Sequence, residues 1–177
     1  MNTKQDLPNT YVIGFAIDPQ YDEVALILKK RGPAFNLHKW NGIGGHVKVG
    51  ESPVGAMRRE SLEEMGLDLP ASGQWQEFHY ERRIDGPKLH FFTAAVPDLE
   101  RKVQTLTDEE VKVFSIQQIL SDLTDVHHGE GGYGSALGIS ALSQLGDKNS
   151  EYVYNLGYLV LMAYSWLKNP QHAYLEG

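Results

Sequence analysis

Three glutamates in one short segment have a spacing that could support metal-dependent chemistry. Glu60, Glu63 and Glu64 lie at positions i, i+3 and i+4, so on an α-helix their carboxylates fall within about 100° of one face. Carboxylates this close repel one another, by about 0.2–0.5 kcal/mol per pair even when exposed. A hard cation such as Mg²⁺ offsets this repulsion and can hold a polyphosphate at the same time. The alternative is an ordinary solvated acidic helix face.

The same segment carries the signals that begin and end a helix. Ser52 is a favourable N-cap, Pro53 suits the first helical position, and Gly66 suits the C-terminal stop. The sequence therefore predicts a helix over residues 52–65. Its packed side adjoins the carboxylate face and is formed by Val54, Met57, Ser61 and Met65.

The residues around this helix resemble the signature of the Nudix hydrolase family. From residue 45 the chain reads GHVKVGESPVGAMRRESLEEMGL. The family signature is a glycine, five residues, a glutamate, seven residues and then REUxEExGU, where U is apolar. The matching residues are Gly45, Glu51, Arg59, Glu60, Glu63, Glu64 and Gly66. Seven such identities match by chance in on the order of one chain in a million or fewer. The one departure is Ser61, where the family prefers a bulkier apolar residue, which bears on packing and not on the metal ligands.

The resemblance implies a role for each matching residue. The implied metal-binding and catalytic groups are the backbone carbonyl of Gly45 and the carboxylates of Glu60, Glu63 and Glu64. The implied structural groups are the Glu51–Arg59 ion pair and Gly66. The expected cofactor is Mg²⁺, for which Mn²⁺ could substitute. Such a metal neutralises phosphate charge and lowers the pKa of the attacking water.

Two further candidate groups lie after the predicted helix. Many Nudix enzymes add a metal-binding carboxylate from a later loop, and the segment LTDEEVKVF offers Glu109 and Glu110. The distance from Phe114 favours Glu109, and an acidic turn without metal is the alternative. The adjacent His127 and His128 fit a surface loop best, although a histidine could cover the mouth of an active site.

The similarity extends to the MutT-like branch of the family. Residues 25–52 resemble the oxidised-purine nucleoside triphosphatases, which share the KKRG and WNG-x-GG segments. In that branch the asparagine of WNG reads the base, which would make Asn41 a base contact, with Trp40 and Lys29 beside the substrate. The alternative is a loop in which Trp40 packs and Asn41 satisfies its own backbone. The implied reaction releases a nucleoside monophosphate and pyrophosphate.

Other functions of the same fold are less favoured. For ADP-ribose or nucleotide-sugar hydrolysis, the proline that marks the ADP-ribose branch falls too late here, at Pro87. Motifs for diadenosine polyphosphates and coenzyme A are not evident. Non-catalytic Nudix-fold nucleotide sensors usually lose carboxylates of the signature, whereas this chain retains all four glutamates. The isoprenoid diphosphate isomerases of this fold use a cysteine, which this chain lacks.

Strands and further helices must position the glutamate helix. Strand character is present at residues 10–17, 23–30, 74–84, 88–96 and 110–116, with DGP at 85–87 as a hairpin signal. Further helices are expected from residue 115, over 136–146 and over 151–167, with a mobile glycine-rich loop at 125–135. The last helix repeats apolar residues at a spacing that indicates core packing or a dimer contact. As the resemblance implies, we expect the α/β Nudix fold, an α/β/α sandwich with a mixed central sheet. A single domain is expected over 1–177, with C-terminal helices at about 135–168 included.

Composition limits the partners and the compartment. Sixteen Lys+Arg against 23 Asp+Glu give a net charge of −7, the wrong sign for binding a nucleic-acid polymer. A small nucleotide is therefore the expected partner. Without cysteine there is no disulfide framework or thiolate nucleophile. The N-terminus lacks a signal-peptide pattern and no apolar stretch reaches about 18 residues, so we expect no membrane association and a cytoplasmic location. The expected oligomeric state is a monomer or a homodimer.

Overall fold

The most apolar strands of the chain form the middle of one mixed sheet. The computed structural model describes residues 6–69, 75–82, 86–125, 151–153 and 155–169. Its strands are β1 (Asp6–Asp18), β2 (Glu23–Leu28), β3 (Trp40–Asn41), β4 (His46–Lys48), β5 (Gln76–Arg82), β6 (Lys88–Ala95) and β7 (Val111–Ser115). They follow the order β3-β2-β1-β6-β5, and β4 also pairs with β1 while β7 pairs with β2. Strands β1 and β6 are parallel and the other pairs are antiparallel.

Alternating side chains of the central strands divide the core into two layers. On β2, Val24 and Leu26 pack on one face of the sheet and Ala25 and Ile27 on the other, as the period of two along a strand requires. The first face is covered by helices α3 (Ile116–Asp125) and α4 (Leu156–Lys168). The second face is covered by α1 (Pro53–Met65) and the four-residue α2 (Leu99–Lys102). The predicted α/β/α sandwich with a mixed central sheet is confirmed.

Helix α1 begins and ends where its capping signals indicate. The Ser52 side chain accepts a hydrogen bond from the Gly55 N–H at 3.1 Å, and Pro53 occupies the first helical position. At the other end, Gly66 has φ 70° and donates its N–H to the carbonyl of Leu62. This left-handed conformation strains residues that have a Cβ atom, which is why glycine ends the helix.

Three of the four residues predicted on the packed side of α1 are buried. Met57, Ser61 and Met65 are fully buried, but Val54 is 42% exposed, so its assignment to the core is wrong. Val54 lies in the first turn, two positions after the exposed Ser52. The helix is therefore covered by the sheet only from its second turn onward.

A hydrogen bond explains how serine is accommodated at position 61. The buried Ser61 hydroxyl donates to the carbonyl of Leu67 at 2.7 Å, just beyond the end of α1. A buried polar group with such a partner avoids most of the cost of its desolvation. Serine at position 61 thus gives up some apolar packing and instead forms a hydrogen bond that connects the end of α1 to the following loop.

The last helix begins later than its apolar repeat predicts. Residues 151–167 were expected to be helical, but α4 starts at Leu156, after Asn155 in a left-handed conformation (φ 67°). Before it, Tyr152 bridges to Trp40 of β3 instead of continuing the helix. Leu156, Val160 and Ala163 are fully buried, which confirms core packing for the helical part of the repeat.

Several expected features lie outside the described residues. They are the helix at 136–146, the glycine-rich loop except for residue 125, which ends α3, and His127 with His128. Within the residues that are described, no helix has both the length and the apolar character needed to cross a membrane.

Candidate active site

Arg59 links the loop before α1 to the carboxylates on the helix. Its Nε and Nη2 atoms lie 2.9 and 3.1 Å from the two carboxylate oxygens of Glu51, and Nη2 also donates to the carbonyl of His46 at 2.9 Å. Its Nη1 atom lies 2.6 Å from Glu60 Oε1 and 3.1 Å from Glu63 Oε2. The Glu51–Arg59 ion pair that the resemblance implied is present. The contacts with Glu60 and Glu63 were not anticipated.

The environment of Glu51 favours a permanently ionised carboxylate. Partial burial raises the pKa of Glu51. Hydrogen bonds from Arg59 and from the backbone N–H of Lys48 lower it by more, so the net pKa lies below the usual glutamate range. A carboxylate with a lowered pKa is a weak base. This agrees with the structural role expected for Glu51.

A second cation, Lys29, lies among the remaining acidic groups. Its Nζ atom is 2.8 Å from Glu64 Oε1, 3.3 Å from Glu109 Oε2 and 3.4 Å from the carbonyl oxygen of Gly44. The exposed fractions of the Lys29, Glu64 and Glu109 side chains are 13%, 11% and 9%. The sequence interpretation placed Lys29 beside the substrate, whereas its ammonium here contacts the acidic groups of the candidate site.

Glu109, not Glu110, is the later carboxylate that reaches the site. Its Oε1 atom accepts hydrogen bonds from the backbone N–H groups of Lys30 (2.6 Å) and Arg31 (3.1 Å). Burial raises the pKa of Glu109, but these bonds and Lys29 lower it to a net value below the usual range. Glu110 is partly exposed and pairs with Lys112 at 3.1 Å. The position of Glu109 agrees with the choice made from the sequence, and its metal role stays a prediction.

Glu64 is the most buried carboxylate of helix α1. Its Oε2 atom accepts a hydrogen bond from the N–H of Gly44 at 2.9 Å, and its Oε1 atom faces Lys29. Burial raises its pKa by more than Lys29 and the Gly44 N–H lower it, so the net pKa lies above the usual range. The carboxylate is therefore held in place through both oxygens while being less strongly acidic than a surface glutamate.

Two adjacent glycines, Gly44 and Gly45, differ in what their carbonyls contact. The carbonyl of Gly45 accepts the backbone N–H of Val12 at 2.9 Å as part of the strand pairing, while the carbonyl of Gly44 faces the Lys29 ammonium. Gly44 is therefore a further candidate carbonyl ligand, and the metal role assigned to Gly45 stays a prediction. Gly45 has a different constraint, because a Cβ atom there would lie 2.5 Å from Glu60 Oε1. Glycine at position 45 leaves room for that carboxylate.

The donor atoms of this site match the chemistry of a hard divalent cation. They are the carboxylates of Glu60, Glu63, Glu64 and Glu109 and the carbonyl of Gly44. Mg²⁺ prefers such oxygen ligands. In the described part of the chain, no three acidic or histidine side chains are already grouped as a metal-binding cluster. Arg59 and Lys29 bind the oxygens of these carboxylates instead.

Trp40 and Asn41, the predicted substrate residues of β3, are both largely buried. The Trp40 ring packs against Phe114, with ring centroids 4.8 Å apart, in the core layer under α3 and α4. That position fits the packing alternative better than direct contact with a substrate. The Asn41 Oδ1 atom accepts the N–H of Gly42 at 2.7 Å. Because an amide has two donor and two acceptor sites, this bond leaves capacity for a ligand.

The fold and the site agree with one known family. The family model described as NUDIX domain matches residues 8–131, which is more than half of the chain. The chain therefore belongs to the Nudix family. Its match covers the strands, helix α1 and the loop that carries Glu109.

The chain is also similar to individual proteins of known name. Two proteins named oxidized purine nucleoside triphosphate hydrolase are similar over part of their length. The one from Danio rerio is 54% identical over 50 residues, 28% of this chain and 31% of that protein. The one from Mus musculus is 36% identical over 87 residues, 48% of this chain and 53% of that protein. The chain thus spans about half or less of these relatives.

A solved structure shares the fold. The crystal structure of a MutT/nudix family protein from Enterococcus faecalis has a TM-score of 0.64 and 18% sequence identity, over 95% of this chain and 65% of that one. At this identity the likeness concerns the fold alone.

Proposed function

We propose that this protein hydrolyses a phosphoanhydride bond in a nucleoside triphosphate or a related nucleoside diphosphate derivative. The observation that carries the proposal is the complete carboxylate set of α1, joined by Glu109 from a loop 45 positions after Glu64. Family membership supports the reaction class. The names of the two curated relatives support an oxidised purine nucleoside triphosphate as substrate, cleaved to the monophosphate and pyrophosphate.

The proposed cofactor is Mg²⁺, with Mn²⁺ as a substitute. Its ligands would come from Glu60, Glu63, Glu64, Glu109 and the carbonyl of Gly44. When bound, such an ion neutralises phosphate charge and lowers the pKa of a water molecule. The side chains of the protein position the ligands and accept the proton. Arg59 holds the Glu60 and Glu63 carboxylates against the loop through Glu51, and a carboxylate of α1 would accept the proton that the attacking water loses.

The proposed partner is a small nucleotide in the cytoplasm. The net charge of −7 disfavours a nucleic-acid polymer. Hydrolysis of ADP-ribose or a nucleotide sugar is the second candidate, because such a substrate presents the same phosphoanhydride to the same carboxylates. A nucleotide sensor without catalysis is less favoured, since every glutamate of the signature is present.

A product analysis separates these candidates. Purified protein in Mg²⁺ would be given oxidised and canonical purine triphosphates, a pyrimidine triphosphate, ADP-ribose and a nucleotide sugar. We expect monophosphate and pyrophosphate in equal amounts, fastest from an oxidised purine triphosphate. Turnover of ADP-ribose alone would contradict the proposed nucleoside triphosphate substrate but would still agree with a hydrolase. Nucleotide binding without turnover would favour the sensor.

Asn41→Ala tests whether the site reads a purine base. An amide can donate and accept at one base edge, and a buried base edge left without its partner costs about 1–3 kcal/mol. We therefore expect KM for the preferred purine triphosphate to rise by about tenfold or more, with a smaller rise for a pyrimidine triphosphate. Equal losses on both substrates would mean that Asn41 only shapes the loop through its bond to Gly42.

A further inference from the structure

The ammonium group of Lys29 occupies a position suited to a cation ligand sphere. It lies within 2.8–3.4 Å of three oxygens, those of Glu64, Glu109 and the Gly44 carbonyl. The side chains of Lys29, Glu64 and Glu109 are all largely buried. These oxygens come from three separate segments of the chain, so their convergence on one ammonium is a property of the fold and not of local sequence.

We propose that Lys29 is a built-in counter-ion that competes with the divalent cation for these oxygens and is displaced when the cation binds. This inference rests on the metal site of the proposed function. It assigns Lys29 a role in setting metal affinity, which differs from contact with the substrate.

Charge repulsion favours the displacement. Mg²⁺ holds its oxygen ligands at about 2.0–2.1 Å, so an ion bound to Glu64 Oε1 and Glu109 Oε2 would lie close to the ammonium, which is 2.8 and 3.3 Å from the same two atoms. Two cations so close together in a partly buried setting repel strongly. Without either cation, the two nearly buried carboxylates of Glu64 and Glu109 would lie near each other without a counter-ion. Lys29 removes that penalty in the metal-free protein.

The site is built so that only the ammonium needs to move. The backbone of Lys29 is fixed on both sides, because its N–H donates to Lys39 and its carbonyl accepts from His38. Its head group sits on a flexible four-carbon stem. Glu109 Oε1 remains bound to the Lys30 and Arg31 N–H groups. Likewise, Glu64 Oε2 remains bound to Gly44. Departure of Lys29 therefore frees one oxygen on each carboxylate while its other oxygen keeps it in position.

The competition lowers the apparent affinity for metal. If the ammonium occupies the oxygens about 90% of the time, the measured Kd is about tenfold weaker than that of the open site. Lys29→Met keeps the length and apolar stem of the side chain and removes the charge. We expect this variant to bind Mn²⁺ and Mg²⁺ about tenfold more tightly or better, measured by calorimetry and by Mn²⁺ electron paramagnetic resonance without substrate.

The matched control is Lys30→Met. Lys30 is the exposed neighbour, and its contact with Glu109 uses only the backbone N–H, which the substitution retains. We expect its metal affinity to stay within about twofold of wild type, because an exposed charge is screened. An equal gain in both variants would mean that general charge, and not competition, sets the affinity, and would overturn the inference.

The unmodified protein provides a second measurement in case Lys29→Met does not fold. The ¹⁵N resonance of the Lys29 ammonium should shift and exchange faster with water as Mg²⁺ is added. An unchanged resonance at saturating Mg²⁺ would overturn the inference, as would an unchanged Kd in folded Lys29→Met. If the wild type binds neither cation, the proposed metal-dependent function fails, and this inference with it.

Discussion

Glu64→Gln is expected to lower kcat by about a hundredfold or more in saturating Mg²⁺. The amide keeps the shape of the side chain and can still accept the Gly44 N–H, which now bonds to Glu64 Oε2 at 2.9 Å. It loses the charge that holds a metal. Lys29 keeps Glu109 as a charged partner at 3.3 Å, so the variant should keep its fold, with some loss of melting temperature because the buried Lys29–Glu64 pair is broken. Steady-state kinetics and circular dichroism on the same samples measure both effects.

Glu110→Gln is the matched control for this result. Glu110 is partly exposed, its one described ionic contact is with Lys112, and it lies next to the site-facing Glu109. It should retain wild-type turnover. Near wild-type kcat in Glu64→Gln, with Mg²⁺ in excess, would contradict the assignment of Glu64 to the metal site.

Glu51→Gln is expected to lower the stability of the protein as well as its activity. It removes the charge that faces two nitrogens of Arg59 at 2.9 and 3.1 Å in a setting where the side chains are 20% and 17% exposed. Breaking a fully buried pair costs about 3–5 kcal/mol. Here partial exposure and the remaining Glu60 contact reduce the cost to about 1–3 kcal/mol. For a chain of this size that corresponds to a fall in Tm of about 2–10 °C.

The pH dependence of this loss has a defined sign. The pKa of Glu51 is lowered in the folded protein, so its contribution to stability is fully present above the ordinary glutamate pKa of about 4.3 and is lost as pH falls through the folded value. The difference in Tm between wild type and Glu51→Gln should therefore be constant near neutral pH and shrink below about pH 4. Glu100→Gln, at an exposed position, should melt like the wild type.

A different outcome would reassign Glu51. If Glu51→Gln melts like the wild type and only the pH dependence of kcat changes, Glu51 is a catalytic base. The role of its ion pair in holding the loop to α1 would then be wrong.

Helix α1 could be predicted closely because its signals are local. Ser52, Pro53 and Gly66 mark its ends within one segment, and the spacing of Glu60, Glu63 and Glu64 determines their common face. Five of the seven strands, β1, β2, β5, β6 and β7, were likewise evident from short apolar runs, with ends displaced by a few residues. Burial of Val54 failed as a prediction because helical periodicity does not show how far the sheet extends under the first turn.

The contacts between distant segments could not be predicted in the same way. Lys29 and Glu109 are 80 positions apart and meet only because β7 pairs with β2. The sequence also does not distinguish which of two adjacent glycine carbonyls pairs with β1, and this decides that the carbonyl of Gly44, and not that of Gly45, faces the Lys29 ammonium. Tyr152 was expected to be helical but bridges to Trp40, since strand pairing at that point overrides the helical repeat.

Titration of metal-stripped protein with Mg²⁺ tests the proposed reaction most directly. Release of pyrophosphate and nucleoside monophosphate from an oxidised purine triphosphate would be followed at each Mg²⁺ concentration, in the wild type and in Glu64→Gln. We expect no release in excess chelator, a saturable rise with Mg²⁺ in the wild type, and a rise about a hundredfold smaller in the variant. Release that continues in excess chelator, or no release from any nucleotide at any concentration of Mg²⁺ or Mn²⁺, would contradict a metal-dependent hydrolase built on helix α1.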